Sequence, residues 1–256
     1  MTIDFPDKSQ ICSLRNVWKE AFCDTDEFLD IFFSTAFSEK RSLCAVENGE
    51  VIGMMYWFGC ECDACPVAYI YAVATKKSYR GKGICHRMME KAHKLLQQQG
   101  YVCAVLVPGD ESLFDFYGSM GYVTCSGIKK YHVNAEKTDV DITKIETDEY
   151  TKLRRKYLPP YGVIQENENI SFLSSQFDLY KGTDFVMACR KDKNTLYCDE
   201  VLGNIDKLRG IVHSLGCKDG YFKTSGDTPF AMYYKLSENS VMPTYFGLAF
   251  DRFRFF

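Results

Sequence analysis

Gly81 and Gly83 stand between Arg80, Lys82 and Ile84, where the apolar run 69–75 gives way to a helical pattern. Glycine lets backbone amides approach a ligand closely, and a helix start adds unpaired N–H groups with a favourable dipole. A turn of this kind can cradle an anion, and Arg80 and Lys82 bring positive charge to it. It is not a Walker loop, because G-x-x-x-x-G-K-[ST] is missing, nor a Rossmann fingerprint, which needs a third glycine. A second reactive group is Cys60, Cys62 and Cys65, which read C-x-C-x-x-C with Glu61 and Asp63 between them. Zinc takes four ligands, and no further pair of suitable spacing occurs elsewhere. Loop thiols without metal are therefore the favoured reading, and a zinc module is the minority one.

These residues need elements to hold them. Residues 8–38 predict two helices, with Ile11, Leu14, Val17, Trp18 and Phe22 in helical spacing, then Phe28, Ile31, Phe32 and Phe37. Two apolar runs around Asn48 and Gly49 predict a hairpin, since both residues tolerate positive φ. A strand is expected at 66–75, a helix at 83–99 stopped by Gly100, and a buried strand at 101–107. A short helix at 111–119 and a strand from Tyr122 follow, which makes a mixed α/β order. Beyond residue 137, helices are expected at 146–157 and 167–177, and a hairpin from 184–190 and 195–202. The stretch 204–224 then repeats the helix, glycine stop and strand of 86–107, a weak internal repeat without the glycine-rich turn.

The 256 residues are 46% hydrophobic, enough for a sizeable core in one large or two modest domains. A net charge of -3 with no basic block argues against nucleic acid or an anionic membrane as partner. No apolar run reaches the length of a membrane span, and the first ten residues lack the layout of a signal peptide. A cytoplasmic protein is expected, its 12 cysteines mostly reduced thiols filling the core. Self-association stays open.

With its downstream residues, the glycine turn strongly resembles motif A of the GNAT superfamily, the Gcn5-related N-acetyltransferases. That motif is R/Q-x-x-G-x-G/A, and it aligns on Ser78, Gly81 and Gly83. Phe116, Tyr117, Gly121 and Tyr122 match the later aromatic–Tyr–x-x-x–Gly–aromatic string. The resemblance covers residues 8–135 well and implies a GNAT fold: a mixed, mostly antiparallel sheet flanked by helices. Residues 1–136 would be the acetyltransferase domain, and 137–256 a degenerate GNAT-like α/β half lacking the acyl-CoA motif.

The resemblance further implies acetyl-CoA as co-substrate, its pantetheine arm lying between the strands at 69–75 and 101–107. Backbone groups of Val73, Ala74 and Thr75 would hold that arm, with Asp110 nearby where relatives often carry Asn. Arg80, Gly81, Lys82, Gly83, Ile84, Cys85 and His86 would hold the pyrophosphate, and Tyr117 would be the general acid. Ser78 departs from the usual Arg or Gln, and Cys85 from a usual Gly or Ala. The acceptor would be a primary amine on a small molecule or peptide. The general base is open, because the Glu that many relatives carry near the start of the fourth strand is here Val67 or Ala68. Tyr69 or Tyr71 could relay a proton through water, and Glu61 or Asp63 could reach the acceptor entrance, although solvated loop carboxylates are favoured for both acids. His86 is read as a phosphate-side residue and His93 as a solvated one. A terminal carboxylate after Asp251–Phe256, acting as base, is a further idea. The absent Glu favours a competing reading, an acyl-CoA-binding regulatory or scaffold protein without turnover.

Overall fold

The computed structural model describes residues 1–249. Twelve strands form one sheet in the order β1-β2-β3-β4-β5-β12-β6-β11-β10-β9-β8-β7. The first half supplies β1 (Thr2–Asp4), α1 (Ile11–Phe22), α2 (Asp26–Thr35), β2 (Ser42–Glu47), β3 (Glu50–Cys62) and β4 (Cys65–Thr75). It continues with α3 (Ile84–Gln98), β5 (Cys103–Leu106), α4 (Ser112–Gly118) and β6 (Val123–Asn134). The second half repeats this order as β7 (Thr143–Lys144), α5 (Thr147–Tyr157), α6 (Glu168–Ser174), β8 (Asp178–Lys181), β9 (Phe185–Asp192) and β10 (Thr195–Gly203). It closes with α7 (Leu208–Ser214), β11 (Asp219–Ser225) and β12 (Thr228–Lys235), with no counterpart of α4.

The halves exchange their last strands. β12 pairs antiparallel with β5, and β6 pairs antiparallel with β11, while β6 and β12 lie side by side at the centre. Only β4 with β5 and β10 with β11 run parallel. Each half therefore completes the sheet of the other.

Local chemistry explains the long central hairpins. Asn48 (φ 51°) and Gly49 (φ 81°) make the turn between β2 and β3, and Asp63 (φ 49°) and Ala64 (φ 59°) make the one between β3 and β4. Alternation along β3 then sorts side chains onto two faces. Met54, Tyr56 and Phe58 join a core with Trp18, Phe28 and Phe32 of α1 and α2. Met55 and Trp57 join the opposite core, with Met88, Ala92 and Leu96 of α3 and Tyr117 of α4. The α1/α2 face is shared with the second half, where Phe28 meets Phe172 of α6 edge to face at 5.4 Å.

β3 runs to Cys62 and β4 starts at Cys65, so the cysteine-rich stretch is mostly strand and its turn is only two residues long. The tip docks on the second half: Glu61 and Ile164 exchange backbone hydrogen bonds of 3.0 and 2.7 Å. Cys62 is buried and its thiol donates to the Tyr161 carbonyl at 3.3 Å, while Cys60 Sγ accepts from Asn169 Nδ2 at 3.3 Å. Burial pushes the Cys60 thiol up to about 12. Cys65 stands opposite Cys62 across the hairpin, and no group of three metal-capable side chains gathers among the described residues.

Candidate active site

The parallel pairing of β4 with β5 is short. It links Val67 to Cys103, Ala68 to Ala104 and Tyr69 to Val105, and then the strands part. A bulge in β4 marks the parting, since Ala72 and Val73 together oppose Met55 between the pairs Tyr56–Tyr71 and Met54–Ala74. Ala72 sits at φ 52°, a left-handed conformation that costs a residue with a Cβ about 1–2 kcal/mol. The extra residue breaks the alternation, so Tyr71 and Ala72 both face the α1/α2 core and Val73 faces the other.

The gap is a cleft of about 900 Å³, counted to its open mouths. Its walls are Tyr69–Val73 of β4 and Leu106, Val107 and Gly109 after β5. Trp18, Phe22, Asp24 and Phe28 approach from the α1/α2 face, and Leu113 and Tyr117 from the α3/α4 face. Residues from both faces of the sheet therefore meet in the walls of this one cleft.

On the α3/α4 side, Tyr117 is 8% exposed and packs edge to face on Phe116 and Tyr122. Other buried tyrosines bond their hydroxyls, Tyr122 to His93 and Tyr150 to Glu200, but among the described residues the Tyr117 hydroxyl has no partner. Burial, with lesser contributions from Cys85 and Asp110, raises its pKa well above the ordinary phenol value. The hydroxyl thus keeps its proton at any physiological pH and is available as a donor.

At the end of β4 the chain makes one 3-10 turn, Lys77–Tyr79, and enters the glycine turn. Gly81 (φ 75°) and Gly83 (φ 73°) hold conformations that favour glycine, and Gly83 caps α3 without a side-chain bond. The first intrahelical bond is donated by Arg87 N to Gly83 O at 3.1 Å, so the amides of the first turn before it have no partner within the helix, as at any helix start that can receive an anion. Nothing lies within 4 Å of a Cβ built on either glycine, so there is room for a ligand against this backbone. Arg80 Nε donates to the Thr75 carbonyl at 3.1 Å, and Arg87 Nη2 to the Lys82 carbonyl at 3.3 Å, which tie the turn to strand and helix. Gly83→Val should weaken acetyl-CoA affinity by about tenfold or more, through side-chain obstruction and the left-handed φ. Calorimetric titration checks this, and unchanged affinity would remove the turn from the site.

The structure treats the other sequence-predicted residues unequally. Val73, Tyr69 and Tyr71 line the cleft, whereas Ala74 and Thr75 continue β4 towards the glycine turn. Cys85 is half-buried, its thiol pushed by burial up to about 12, and His86 is exposed with Nε2 3.5 Å from Glu90. Asp110 lies two residues before α4 and accepts from Ser112 Oγ at 2.6 Å and Leu113 N at 3.2 Å. Glu61 and Asp63 do not line the cleft, and Glu61 lies 3.7 Å from Arg155 of the second half. Asp251–Phe256 lie outside the described residues.

His93 corrects the sequence reading. It is not solvated but stacked on Tyr234 at 3.9 Å, with Nε2 2.9 Å from the Tyr122 hydroxyl. Burial disfavours the charged imidazole and lowers its pKa from 6.5 to about 4. An unfolded chain protonates this histidine first, so its contribution to stability is full above pH 6.5 and is lost as pH falls from there towards 4. Thermal melts across that window should show a shallower decline for His93→Gln than for wild type, and parallel declines would contradict this.

Asp24 was missed in the sequence. It follows α1 by two residues and lines the cleft, its Oδ2 accepting from Trp18 Nε1 at 2.8 Å. The only sequence signal was its place at the corner between two aromatic-rich helices.

Residues 3–125 match the family described as acetyltransferase (GNAT) domain. Among solved structures, the GCN5-related N-acetyltransferase from Anabaena variabilis superposes with TM-score 0.74 at 12% identity, over 92% of this chain and 73% of that one. The GCN5-related N-acetyltransferase from Kribbella flavida gives 0.70 at 12% identity, over 91% and 70%. Eis1 from Mycobacterium abscessus gives 0.67 at 12% identity, over 92% and 74%. At such identities the likeness is one of fold. Among curated proteins no sequence relative matches. Residues 3–125, which carry the parted strands and the glycine turn, are therefore a domain of the GNAT acetyltransferase family.

Proposed function

We propose that the protein transfers the acetyl group of acetyl-CoA to a primary amine, on a small molecule or peptide, by direct attack in a ternary complex. The observation that carries this reading is the cleft where β4 and β5 part, lined by residues from both faces of the sheet. The glycine turn and Tyr117 lie on one side of it, and an aromatic chamber around Trp18 on the other. Two substrates entering from opposite faces can meet in the gap without a covalent enzyme intermediate.

The amine nitrogen attacks the thioester carbonyl, a C–N bond forms, and the C–S bond breaks. The backbone N–H of Val73 at the bulge is the proposed donor to the oxyanion, and Tyr117 donates its proton to the departing thiolate. The amine must shed a proton, and Tyr69 and Tyr71, both on the cleft wall, are placed to order water for that step. Initial-rate kinetics with both substrates varied test the order: intersecting double-reciprocal lines support a ternary complex, and parallel lines contradict it.

The same reading takes 1–136 as the acetyltransferase domain and 137–256 as a degenerate copy. The second half repeats the order of elements, but its equivalent gap is closed by charge. Beyond the parallel pairs of β10 and β11, Lys223 Nζ lies 2.9 Å from Asp199 with both side chains 3% exposed. Among the described residues all 12 cysteines are free thiols, which supports a reducing, cytoplasmic setting. No described helix is long and apolar enough to cross a membrane.

A further inference from the structure

The α1/α2 mouth of the cleft has a chemistry of its own. Cys23 ends α1 in a left-handed conformation (φ 57°), and Thr25 caps α2 by accepting from Phe28 N at 3.3 Å. Asp24 is held between these two fixed points. Its neighbours in sequence find cations: Asp26 lies 2.5 Å from Lys19 and 3.5 Å from Arg15, and Asp30 lies 2.7 Å from Arg15. Among the described residues no Lys or Arg pairs with Asp24, although the carboxylate is half-buried against an aromatic wall. A carboxylate there, with no cationic side chain paired to it, attracts a mobile cation.

The wall suits a cation as well. Trp18 meets Tyr71 at 5.6 Å and 70°, Phe22 at 5.8 Å and 69°, and Phe28 at 6.3 Å and 59°. These rings line the cleft beside the carboxylate, and the negative face of an aromatic ring attracts a cation, as in aromatic cages for ammonium groups. The indole N–H bond to Asp24 fixes the carboxylate against one of those rings.

We propose that this corner is a cation site: Asp24, with the aromatic wall of Trp18, Phe28 and Tyr71, recognises the acceptor as its ammonium ion. The assignment rests on the acetyl-transfer reading of the cleft and narrows it to amines that are protonated in solution. Phosphorylated or carboxylated acceptors are disfavoured, because their anionic groups would meet Asp24 at the mouth.

Tetramethylammonium, which cannot be acetylated, tests the site directly, with tert-butanol as a neutral probe of similar shape. Trp18 and Trp57 are the two indoles, both buried, but Trp18 lines the cleft and bonds Asp24 whereas Trp57 packs in the opposite core, so a change in fluorescence on titration reports on Trp18. Saturable quenching by tetramethylammonium and none by tert-butanol is expected. Asp24→Asn keeps an oxygen to accept from Trp18 Nε1 but removes the charge, and should weaken the cation's binding by about tenfold. In turnover, the same variant should raise KM for an alkylamine by about tenfold and leave KM for acetyl-CoA unchanged. Equal responses to the two probes, or unchanged cation binding in Asp24→Asn, would overturn the proposal. Asp24-dependent cation binding without acetylation of any amine would uphold the site and count against acetyl transfer instead.

Discussion

Tyr117→Phe should lower turnover by about a hundredfold while acetyl-CoA affinity stays within about twofold of wild type. The substitution keeps the ring and its contacts with Phe116 and Tyr122, so it removes only the hydroxyl. That hydroxyl has no partner among the described residues, and its loss leaves no buried group unsatisfied, so the variant should be as stable as wild type to within about 1 kcal/mol. The direction of the tyrosine's pKa adds a second signature. Because burial raises it, the phenol stays protonated up to at least its ordinary value of about 10. The rate should therefore rise with pH as the acceptor amine deprotonates, with no falling limb below about pH 10 from loss of the acid. Rapid-mixing or steady-state CoA release measures both effects. Wild-type turnover in Tyr117→Phe would remove this residue from the chemistry.

The largest stability effect is expected at Arg154, on the other half of the molecule. Arg154 and Glu200 are 2% and 0% exposed and form two bonds, Nε to Oε2 at 2.8 Å and Nη2 to Oε1 at 3.0 Å. Arg154 Nη1 also donates to the Val163 carbonyl at 2.8 Å, and Tyr150 donates its hydroxyl to Glu200 Oε2 at 2.9 Å. Arg154→Met strands a buried carboxylate and should cost about 3–5 kcal/mol, a fall of roughly 10 °C in Tm for a chain of this size. A double variant, Arg154→Met with Glu200→Leu, removes both charges and should recover much of that loss. Differential scanning calorimetry of the two variants decides it, and equal midpoints for wild type and Arg154→Met would show that the pair carries no net stability.

The network also bears on the cleft. Gln165 accepts from Arg154 Nη2 at 3.2 Å and donates to the Leu248 carbonyl at 2.9 Å, while Val163 N donates to the Tyr245 carbonyl. The next residue along, Phe246, packs on Tyr69 at 4.5 Å, and Ala249 lines the cleft. The second half thus reaches the cleft through its last described segment, and Arg154 is one of the residues that hold the segment there.

Local signals carried most of the first half. Asn48 and Gly49 adopt the positive φ angles their hairpin needs, and the glycine turn opens α3 as its spacing implied. Tyr117 stands on a short helix one residue inside each expected boundary, facing the gap between β4 and β5. What was illegible depends on distant parts of the chain. Nothing in the composition of β6 or β12 says which strand each will pair with, so their exchange between halves could not be read from pattern. Cys60 and Cys62 looked like loop thiols because their pocket is made by Tyr161 and Asn169, about a hundred residues away. His93 sits on the polar side of a helical wheel, yet Tyr234 of the exchanged β12 covers it. Asp24 comes to the cleft only through the fold, where Trp18 bonds it and Tyr71 of β4 packs on Trp18.

A thiol-release assay measures acetyl transfer most directly. Purified protein is mixed with acetyl-CoA and a panel of alkyl, aryl and peptide amines, and free CoA is followed alongside mass spectrometry of the acceptor. CoA release that depends on an amine, matched mole for mole by one N-acetylated product and suppressed in Tyr117→Phe, is the predicted result. Tight acetyl-CoA binding with no amine-dependent release across the panel would contradict it and leave an acyl-CoA-binding protein without turnover.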